Sequence, residues 1–285
     1  MEWGSRNKSR EALERSRKLR SHLSLSERNC WEAVRKKRSA GTSPPPTLSS
    51  CVRHNPSGPH EEGAFSVVLA SASPRRIELL KSLIPNFEVV PADILEEDHV
   101  HDDPWVTAQR TAREKALAVA ARRPKALVIA GDTVVALRGA GFQPARDEDS
   151  NAMSAGRMPA PQGWIQLAKP ADEADACRML GLLQGRAHTV VTGVCLVWPG
   201  GFSAFTEATQ VTFKRMSDAE VAAYVATGEP MDKAGAYGFQ GGARPFVERV
   251  EGSATNVIGL PMEKLREALT ECVGLTALSP GAERE

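Results

Sequence analysis

Ser66-Val-Val-Leu-Ala-Ser-Ala-Ser-Pro-Arg-Arg-Ile-Glu-Leu-Leu80 is the stretch of sequence from which the fold can be worked out. Three consecutive apolar residues, 67–69, are typical of a buried strand, and apolar residues then recur at helical spacing from Ile77. Ser73 is a good N-cap, and Pro74 suits the first helical position, where its missing N–H would have no partner. The stretch therefore predicts a strand, a tight turn and a helix that begins after Ser73.

The turn between this strand and this helix has the features of an anion site. The first amides of the helix point into the turn, together with the positive end of the helix dipole. Arg75 and Arg76 add two cations whose forked donors match phosphate oxygens. Taken alone, S-P-R-R is more often a capped surface helix with two solvated arginines, so the rest of the chain has to decide between the two interpretations.

The composition favours a folded body with a basic N-terminal arm. The chain has 285 residues, 41% of them hydrophobic, and a net charge of +1, which is enough apolar content to bury a core. Residues 1–62 contain 13 Lys and Arg against 7 Asp and Glu, whereas the remainder carries a net charge of −5. We interpret residues 1–62 as a basic, disordered extension, and both a genuine extension and a misplaced start codon remain open.

Several classes of protein are disfavoured by the same composition. The sequence has no run of about 18 apolar residues that could span a membrane, and the arm lacks the apolar segment of a signal peptide. Five cysteines without a C-x-x-C pair argue against a disulfide framework and a structural zinc site. The arm also lacks the interleaved aromatics that favour nucleic-acid binding. We therefore expect a soluble, cytoplasmic protein with neither a membrane nor a nucleic-acid partner.

A carboxylate next to an apolar run is the strongest local functional signal. The run Ala126–Ala130 ends in Gly131-Asp132-Thr133 and fits a buried central strand. A charged Asp132 at the end of that strand would be destabilising unless a cation or a metal offsets it, although a turn aspartate would give the same letters. The acidic run at 93–98 follows another predicted strand, where its carboxylates can be aimed at a metal.

The patterns further along the chain predict a mixed sheet flanked by helices. A helix from Pro104 to Arg123 holds Lys115 among alanines that would allow close packing. Residues 138–166 are rich in Gly, Pro, Ala and Ser, and we interpret them as a flexible insertion. The glycines of Asp232–Gly242 would allow the backbone to come close to a ligand.

Together these motifs resemble those of the Maf family, nucleoside triphosphate pyrophosphatases once described as septum formation inhibitors. The shared motifs, in the order of the family, are S-A-S-P-R-R, R-E-K-A, G-D-T, K-P, D-K-A-G-A-Y-G-F-Q-G and G-L-P. The resemblance implies a two-lobed α/β fold of the Maf/ITPase-like type, with a twisted mixed sheet flanked by helices and a nucleotide cleft between the lobes. We accordingly assign residues 63–276 to a pyrophosphatase domain and residues 277–285 to a disordered tail.

The resemblance also implies an activity and a set of residues. The activity is hydrolysis of a nucleoside triphosphate to the monophosphate and pyrophosphate with Mg²⁺ or Mn²⁺, usually in a homodimer. By motif, Asp132 is the catalytic base and shares the metal with Glu96, for which Glu97 is an alternative. Whether Asp132 takes the proton or only holds the metal is left open. The residues matched to substrate binding are Ser73, Arg75, Arg76, Lys115, Thr133, Lys169 and Gln240.

Three of these positions are linked to substrate choice within the family. The combination Arg75, Thr133 and Gln240 resembles the subgroup that acts on dTTP and UTP, and differs from the 7-methyl-GTP subgroup, whose turn carries Trp-Arg. Gln240 offers a donor and an acceptor to a pyrimidine edge, and unmatched polar groups reject a wrong base. We therefore expect a house-cleaning enzyme for dTTP, UTP and modified pyrimidine triphosphates. The alternatives are a non-catalytic nucleotide-binding regulator of septum formation and a pyrophosphatase for a purine such as 7-methyl-GTP.

Overall fold

A mixed sheet forms the centre of the computed structural model, which describes residues 52–53, 66–94, 101–138 and 163–273. Its strands are β1 (Val52–Arg53), β2 (Val67–Leu69), β3 (Glu88–Val89), β4 (Leu127–Arg138), β5 (Trp164–Leu167), β6 (Ala187–Trp198), β7 (Gly201–Phe213) and β8 (Val247–Glu251). The strand order is β1-β7-β6-β4-β2-β3, with β5 paired to β4 and β8 paired to β7. Strand β2 is parallel to β3 and to β4, and the other pairs are antiparallel. The predicted mixed α/β sheet is confirmed.

Helices flank this sheet. They are α1 (Pro74–Lys81), α2 (Pro104–Ala120), α3 (Glu173–Leu183), α4 (Asp218–Val225), α5 (Ala254–Ile258) and α6 (Met262–Val273), with 3₁₀ helices at Glu229–Asp232, Ala234–Ala236 and Arg244–Phe246. Helix α1 begins as predicted, because the Ser73 side chain accepts a hydrogen bond from the Arg76 N–H. Within the described ranges, no helix combines the length and the apolar character needed to cross a membrane.

Strand β4 runs through both lobes of the fold. Residues 127–130 alternate between a core beneath α1 and α6 and a core beneath α2. Further along the strand, Val135 and Leu137 belong to a separate core with α3 and α4. Two polar residues inside the strand, Asp132 and Thr133, lie between these cores. The boundary between the two lobes therefore crosses β4 at its polar residues.

The continuity of β4 corrects a prediction. Gly131-Asp132-Thr133 was expected to end a strand, but the ladder with β6 continues through all three residues. Pairing with a long neighbouring strand outweighs the low strand propensity of Gly and Asp. Asp132 consequently lies in the middle of a strand, with fixed backbone neighbours.

The predicted insertion is narrower than expected. Both of its predicted ends, 138 and 166, lie inside strands, and Arg138 pairs with Trp164. Strands β4 and β5 therefore form a hairpin whose connecting residues, 139–162, lie outside the described ranges. The predictions for residues 1–62 and 277–285 also fall outside these ranges, except that β1 pairs with β7.

Candidate active site

A gap in the sheet lies at the middle of β4. On one edge of this strand, β2 pairs with residues 127–129 and β5 pairs with residues 135–138. Among the described residues, no strand pairs with 130–134 on this edge, whereas β6 covers the other edge. Asp132 and Thr133 lie within the gap. Because successive side chains of a strand point to opposite faces, each face of the sheet presents one polar side chain at the same opening.

Asp132 faces α2 and forms an ion pair with Lys115. The Lys115 Nζ lies 2.7 Å from Oδ1 of Asp132, and the two side chains are only 10% and 13% exposed. Salt screens a pair this far from solvent much less than it screens a surface pair. Removing either partner would leave the other as a buried, uncompensated charge. The cation that the sequence required near Asp132 is therefore supplied by α2.

The ion pair forms because α2 lies very close to the sheet. Gly193 pairs with Asp132 on β6, and a Cβ at this glycine would overlap the backbone of Ala108 in α2. Ala112 and Ala116 are fully buried on the same side of α2. Small residues on both surfaces thus bring the helix backbone within reach of the Asp132 carboxylate.

Arg76 lies on the opposite face of β4, beside Thr133. Its Nη2 donates to Oγ1 of Thr133 (3.0 Å) and its Nη1 donates to Oγ of Ser71 (3.3 Å). Its Nε donates to the carbonyl oxygen of Gly259 (2.8 Å). Three of its N–H groups are thus directed at protein acceptors. The side chain connects the turn after β2, the gap in β4 and the turn before α6. Its predicted role as a phosphate ligand stays a prediction.

The Thr133 hydroxyl belongs to a chain of hydrogen bonds in which each group donates to the next, from Arg76 to the carbonyl of Asn256. The Thr192 hydroxyl donates to the carbonyl of Asn256 (2.9 Å), so its oxygen accepts the proton of Thr133 at 3.0 Å. The Thr133 oxygen in turn accepts from Arg76. A hydroxyl has only one proton to donate, and that of Thr133 is used inside the protein. Thr133 therefore orients Arg76, and its predicted contact with the substrate stays a prediction.

Arg75 faces the segment that begins at Asp232. Its Nη1 lies 4.0 Å from the Asp232 carboxylate, which also pairs with Lys233 at 2.6 Å. Partial burial raises the pKa of Asp232, but the hydrogen bond from Lys233 and the charges of Lys233 and Arg75 outweigh it, so this pKa lies below its usual range. The ionised carboxylate thus holds two cations beside the N-terminus of α1.

Lys169 lies two residues beyond β5 and is exposed. Leu167, the last residue of β5, pairs with Val135 at the margin of the gap. The chain therefore leaves the sheet beside the gap in spite of the long connection between β4 and β5. The predicted role of Lys169 in substrate binding stays a prediction.

Gln240 is exposed and lies in a turn in which the Gly241 N–H donates to the carbonyl of Gly238 (3.1 Å). The turn follows Lys233 in the segment that also contacts Arg75. Glu96 and its alternative, Glu97, lie outside the described residues, so their predicted metal-binding role stays a prediction.

Comparison with known proteins gives a family for this site. The family profile described as Maf-like protein matches residues 66–272. The chain is 45% identical over 201 residues to the dTTP/UTP pyrophosphatase of Koribacter versatilis (strain Ellin345), covering 70% of this chain and 91% of that protein. It is 43% identical over 205 residues to the dTTP/UTP pyrophosphatase of Geobacter sulfurreducens, covering 71% and 94%. The chain belongs to the Maf family.

One structural comparison adds little to the Maf assignment. The solved structure of the Staphylococcus aureus Ham1 protein matches with a TM-score of 0.30 and 20% identity, over 52% of this chain and 71% of that one. A score this low supports no inference about fold or function. The Maf assignment therefore depends on sequence similarity.

The Maf family implies a divalent metal, and the donors present fit an ion that is bound together with the substrate. Mg²⁺ in nucleotide sites is usually held by one or two carboxylates, by substrate phosphates and by water. The Asp132 carboxylate is a hard oxygen donor of that type, located at the gap. No group of three His, Cys, Asp or Glu side chains that could hold a metal occurs in the part of the chain that the structure describes.

Sequence analysis missed several polar partners in the Maf site. Ser71 and Asp232 lie within motifs that were recognised, so their positions were available although their contacts were not. Thr192 gave no local signal, because it lies within an apolar strand and acquires its role by pairing with Thr133. Gly259 contributes through its backbone carbonyl, which no side-chain pattern reveals.

Proposed function

We propose that the protein hydrolyses nucleoside triphosphates, with dTTP and UTP as preferred substrates, to the nucleoside monophosphate and pyrophosphate. The observation that carries this proposal is the gap in β4, at which the buried Asp132–Lys115 pair and the Arg76 network lie on opposite faces of one strand. Relatives named dTTP/UTP pyrophosphatase, at 42% to 45% identity over at least 90% of their own length, support the choice of substrate.

In this reaction, water attacks the α-phosphorus, and the bond from that phosphorus to the oxygen bridging to the β-phosphorus breaks. The pyrophosphate leaves with the bridging oxygen, and the attacking water loses a proton. Asp132 is the group proposed to orient the water or to receive that proton. Lys115 fixes the orientation of the carboxylate through its 2.7 Å contact with Oδ1.

The cations around the gap would hold the triphosphate. Arg75 and Lys233 lie beside the N-terminus of α1, where the helix amides and dipole also favour an anion. Lys169 lies at the other margin of the gap, and Ser73 caps the helix. Arg76 stabilises the turn after β2 through its hydrogen bonds to Ser71, Thr133 and Gly259. A bound Mg²⁺ or Mn²⁺ would neutralise phosphate charge and polarise the phosphoryl group. Asp132 and Glu96 are the residues proposed to hold this ion.

The nucleobase would be selected by Gln240, because its amide can donate to and accept from a pyrimidine edge. Arg75 would act from the phosphate side, and Thr133 would act through Arg76. A base whose donors and acceptors do not face the amide of Gln240 would leave that amide without matched partners, which lowers affinity more than a poor apolar fit does.

A nucleotide panel with pyrophosphate detection tests this function. Purified protein with Mg²⁺ or Mn²⁺ is expected to release pyrophosphate from dTTP and UTP faster than from ATP or 7-methyl-GTP. In isotopically labelled water, the label should enter the monophosphate, because water attacks the α-phosphorus. Equal rates for all nucleotides would contradict the substrate preference. Release of orthophosphate would contradict the reaction, and tight binding without turnover would favour the regulatory alternative.

We also propose that the protein is a homodimer. This proposal depends on the resemblance to the Maf family alone. Light scattering on the purified protein should give twice the mass of 30.7 kDa expected for one chain. A mass equal to that of one chain at the concentrations used for the kinetic assays would contradict it.

A further inference from the structure

The Glu229 side chain packs against the glycine-rich turn 238–242, which carries Gln240. It begins the 3₁₀ helix Glu229–Asp232 and is half-buried. Its Oε1 accepts a hydrogen bond from the Tyr224 hydroxyl (3.0 Å), and its Oε2 accepts one from the backbone N–H of Gly242 (2.9 Å). Both carboxylate oxygens of Glu229 therefore have donors from the protein.

Tyr224 extends this connection to the other end of the turn. The backbone N–H of Gly238 donates to the Tyr224 hydroxyl oxygen (3.0 Å), whose proton is donated to Glu229. Burial raises the pKa of Tyr224 well above its usual value, so the hydroxyl stays protonated and remains a donor. Gly238 and Gly242, which precede and follow Gln240 by two residues, are thus both held by one carboxylate.

The glycines of the turn leave the space that this carboxylate fills. A Cβ at Gly238 or Gly241 would overlap the Glu229 carboxylate, and a Cβ at Gly242 would lie 3.2 Å from Oε2 and 3.0 Å from Cε2 of Tyr224. The sequence predicted that these glycines allow the backbone to approach a ligand. The group that they admit in the structure is a carboxylate of the same chain, and the approach of a ligand stays a prediction.

We propose that Glu229 is a positioning residue for substrate selection, because it fixes the turn 238–242 from which the exposed Gln240 side chain meets the nucleobase. Glu229 does not touch the substrate and acts through Gln240. The inference rests on the proposed function, in which Gln240 selects a pyrimidine. A carboxylate suits this place because it accepts two hydrogen bonds at separate oxygens, whereas an amide has one accepting oxygen.

The test compares selectivity among five variants. In Glu229→Gln the amide keeps one of the two contacts, and in Tyr224→Phe the link to Gly238 is lost. Gln240→Ala is the reference for lost base recognition, and Glu248→Gln changes an exposed glutamate on β8 as the matched control. The ratio of kcat/KM for dTTP to that for 7-methyl-GTP is measured for each protein. The fifth variant combines Glu229→Gln with Gln240→Ala.

Glu229→Gln and Tyr224→Phe are each expected to lower this ratio by about tenfold, as loss of one well-placed hydrogen bond would. Glu248→Gln should leave the ratio unchanged. The double variant should be no less selective than Gln240→Ala alone, since both changes act on the same contact. An unchanged ratio in Glu229→Gln and Tyr224→Phe, when Gln240→Ala lowers it, would overturn the inference. An equal loss of activity on both nucleotides would also overturn it.

Amide hydrogen exchange separates this inference from the proposed function. If Glu229 anchors the turn, residues 238–242 exchange faster in Glu229→Gln than in the wild type, whether or not any nucleotide is hydrolysed. Exchange as slow as in the wild type would overturn the anchoring role. A Gln240→Ala variant that keeps full selectivity would instead contradict the proposed role of Gln240, and the exchange result would still decide whether Glu229 holds the turn.

Discussion

The two faces of β4 differ in chemistry at adjacent residues. On the α2 face, Asp132 forms a 2.7 Å ion pair with Lys115, and both side chains are largely removed from solvent. On the other face, Thr133 links Arg76 to Thr192 through a chain of hydrogen bonds that ends on a backbone carbonyl. One face thus holds a charged oxygen ligand, and the other uses its polar groups to hold three segments together. We therefore propose that the Asp132 face carries the chemistry and that the Thr133 face fixes the shape of the site.

The largest effect is expected from the Asp132 face. Asp132→Asn should lower kcat by about 10²- to 10⁴-fold, because the amide is neither a base nor a good metal ligand. The variant should be less stable than the wild type, because Lys115 keeps a buried charge without a carboxylate partner, but the amide oxygen can still accept from Lys115 and the fold should be retained. The measurement is pyrophosphate release from dTTP, with circular dichroism to check the fold. Asp218→Asn, at an exposed position at the start of α4, is the control and should keep full activity.

Two glycine substitutions test whether the packing of α2 against the sheet at Asp132 depends on Gly193. Gly193→Ala should destabilise the protein by about 1–3 kcal/mol, because the added methyl group would overlap the Ala108 backbone and overpack the contact. Gly181→Ala, in α3, adds a methyl group with nothing within 4 Å and should stabilise the protein by up to about 1 kcal/mol. Urea unfolding measures both. Equal effects would show that α2 does not depend on Gly193.

The hydrogen-bond chain on the other face gives a smaller effect. Thr133→Val removes the acceptor for Arg76 and the donor for Thr192, and should lower the free energy of unfolding by about 1–3 kcal/mol. Thr133→Ser keeps the hydroxyl and should stay close to the wild type. Both are measured by urea unfolding. If the valine variant is as stable as the serine variant, the chain of hydrogen bonds does not hold this face together.

His188 lies on the same face of β6 as Thr192 and tests how this face tolerates charge. It is 2% exposed, its Nε2 lies 2.9 Å from the Tyr237 hydroxyl, and burial lowers its pKa to about 3. The unfolded state therefore binds a proton that the folded state does not between about pH 6.5 and 3. Stability that is present above pH 6.5 should be lost as the pH falls, by up to about 1.4 kcal/mol per pH unit.

The comparison for this prediction is His188→Gln, which can still hydrogen-bond to Tyr237 but does not titrate. The free energy of unfolding is measured for both proteins between pH 7 and pH 5, above the range in which carboxylates dominate. The wild type should lose stability more steeply than the variant. Parallel curves for the two proteins would mean that His188 is protonated in the folded state.

The difference between the two faces also explains which residues of the site could be recognised from the sequence. Asp132 was recognisable because a carboxylate in an apolar run is an anomaly that needs a partner, and the cap at Ser73 was recognisable because helix starts depend on adjacent residues. Thr192 and Gly259 gave no such signal, since their contacts depend on pairing between β4 and β6 and on the turn before α6. The continuity of β4 was missed because Gly131-Asp132-Thr133 has the composition of a turn, and only the ladder with β6 overrides it.

The glycines of residues 238–242 are a second case in which the contacts depend on elements distant in sequence. Their composition predicted a close approach to a ligand and did not reveal the Glu229 carboxylate, because Glu229 precedes the turn and Tyr224 lies in α4. Contacts that arise between elements are therefore the part of the site that required the structure.

Steady-state kinetics on Asp132→Asn and Thr133→Val with dTTP is the most direct test of whether the Asp132 face carries the chemistry while the Thr133 face fixes the shape of the site. We predict that kcat falls by about 10²-fold or more in Asp132→Asn with little change in KM. In Thr133→Val, KM should rise while kcat changes much less, because Arg76 loses its orientation and the chemical group stays in place. A loss of kcat in Thr133→Val as large as that in Asp132→Asn, with KM unchanged in both, would contradict it.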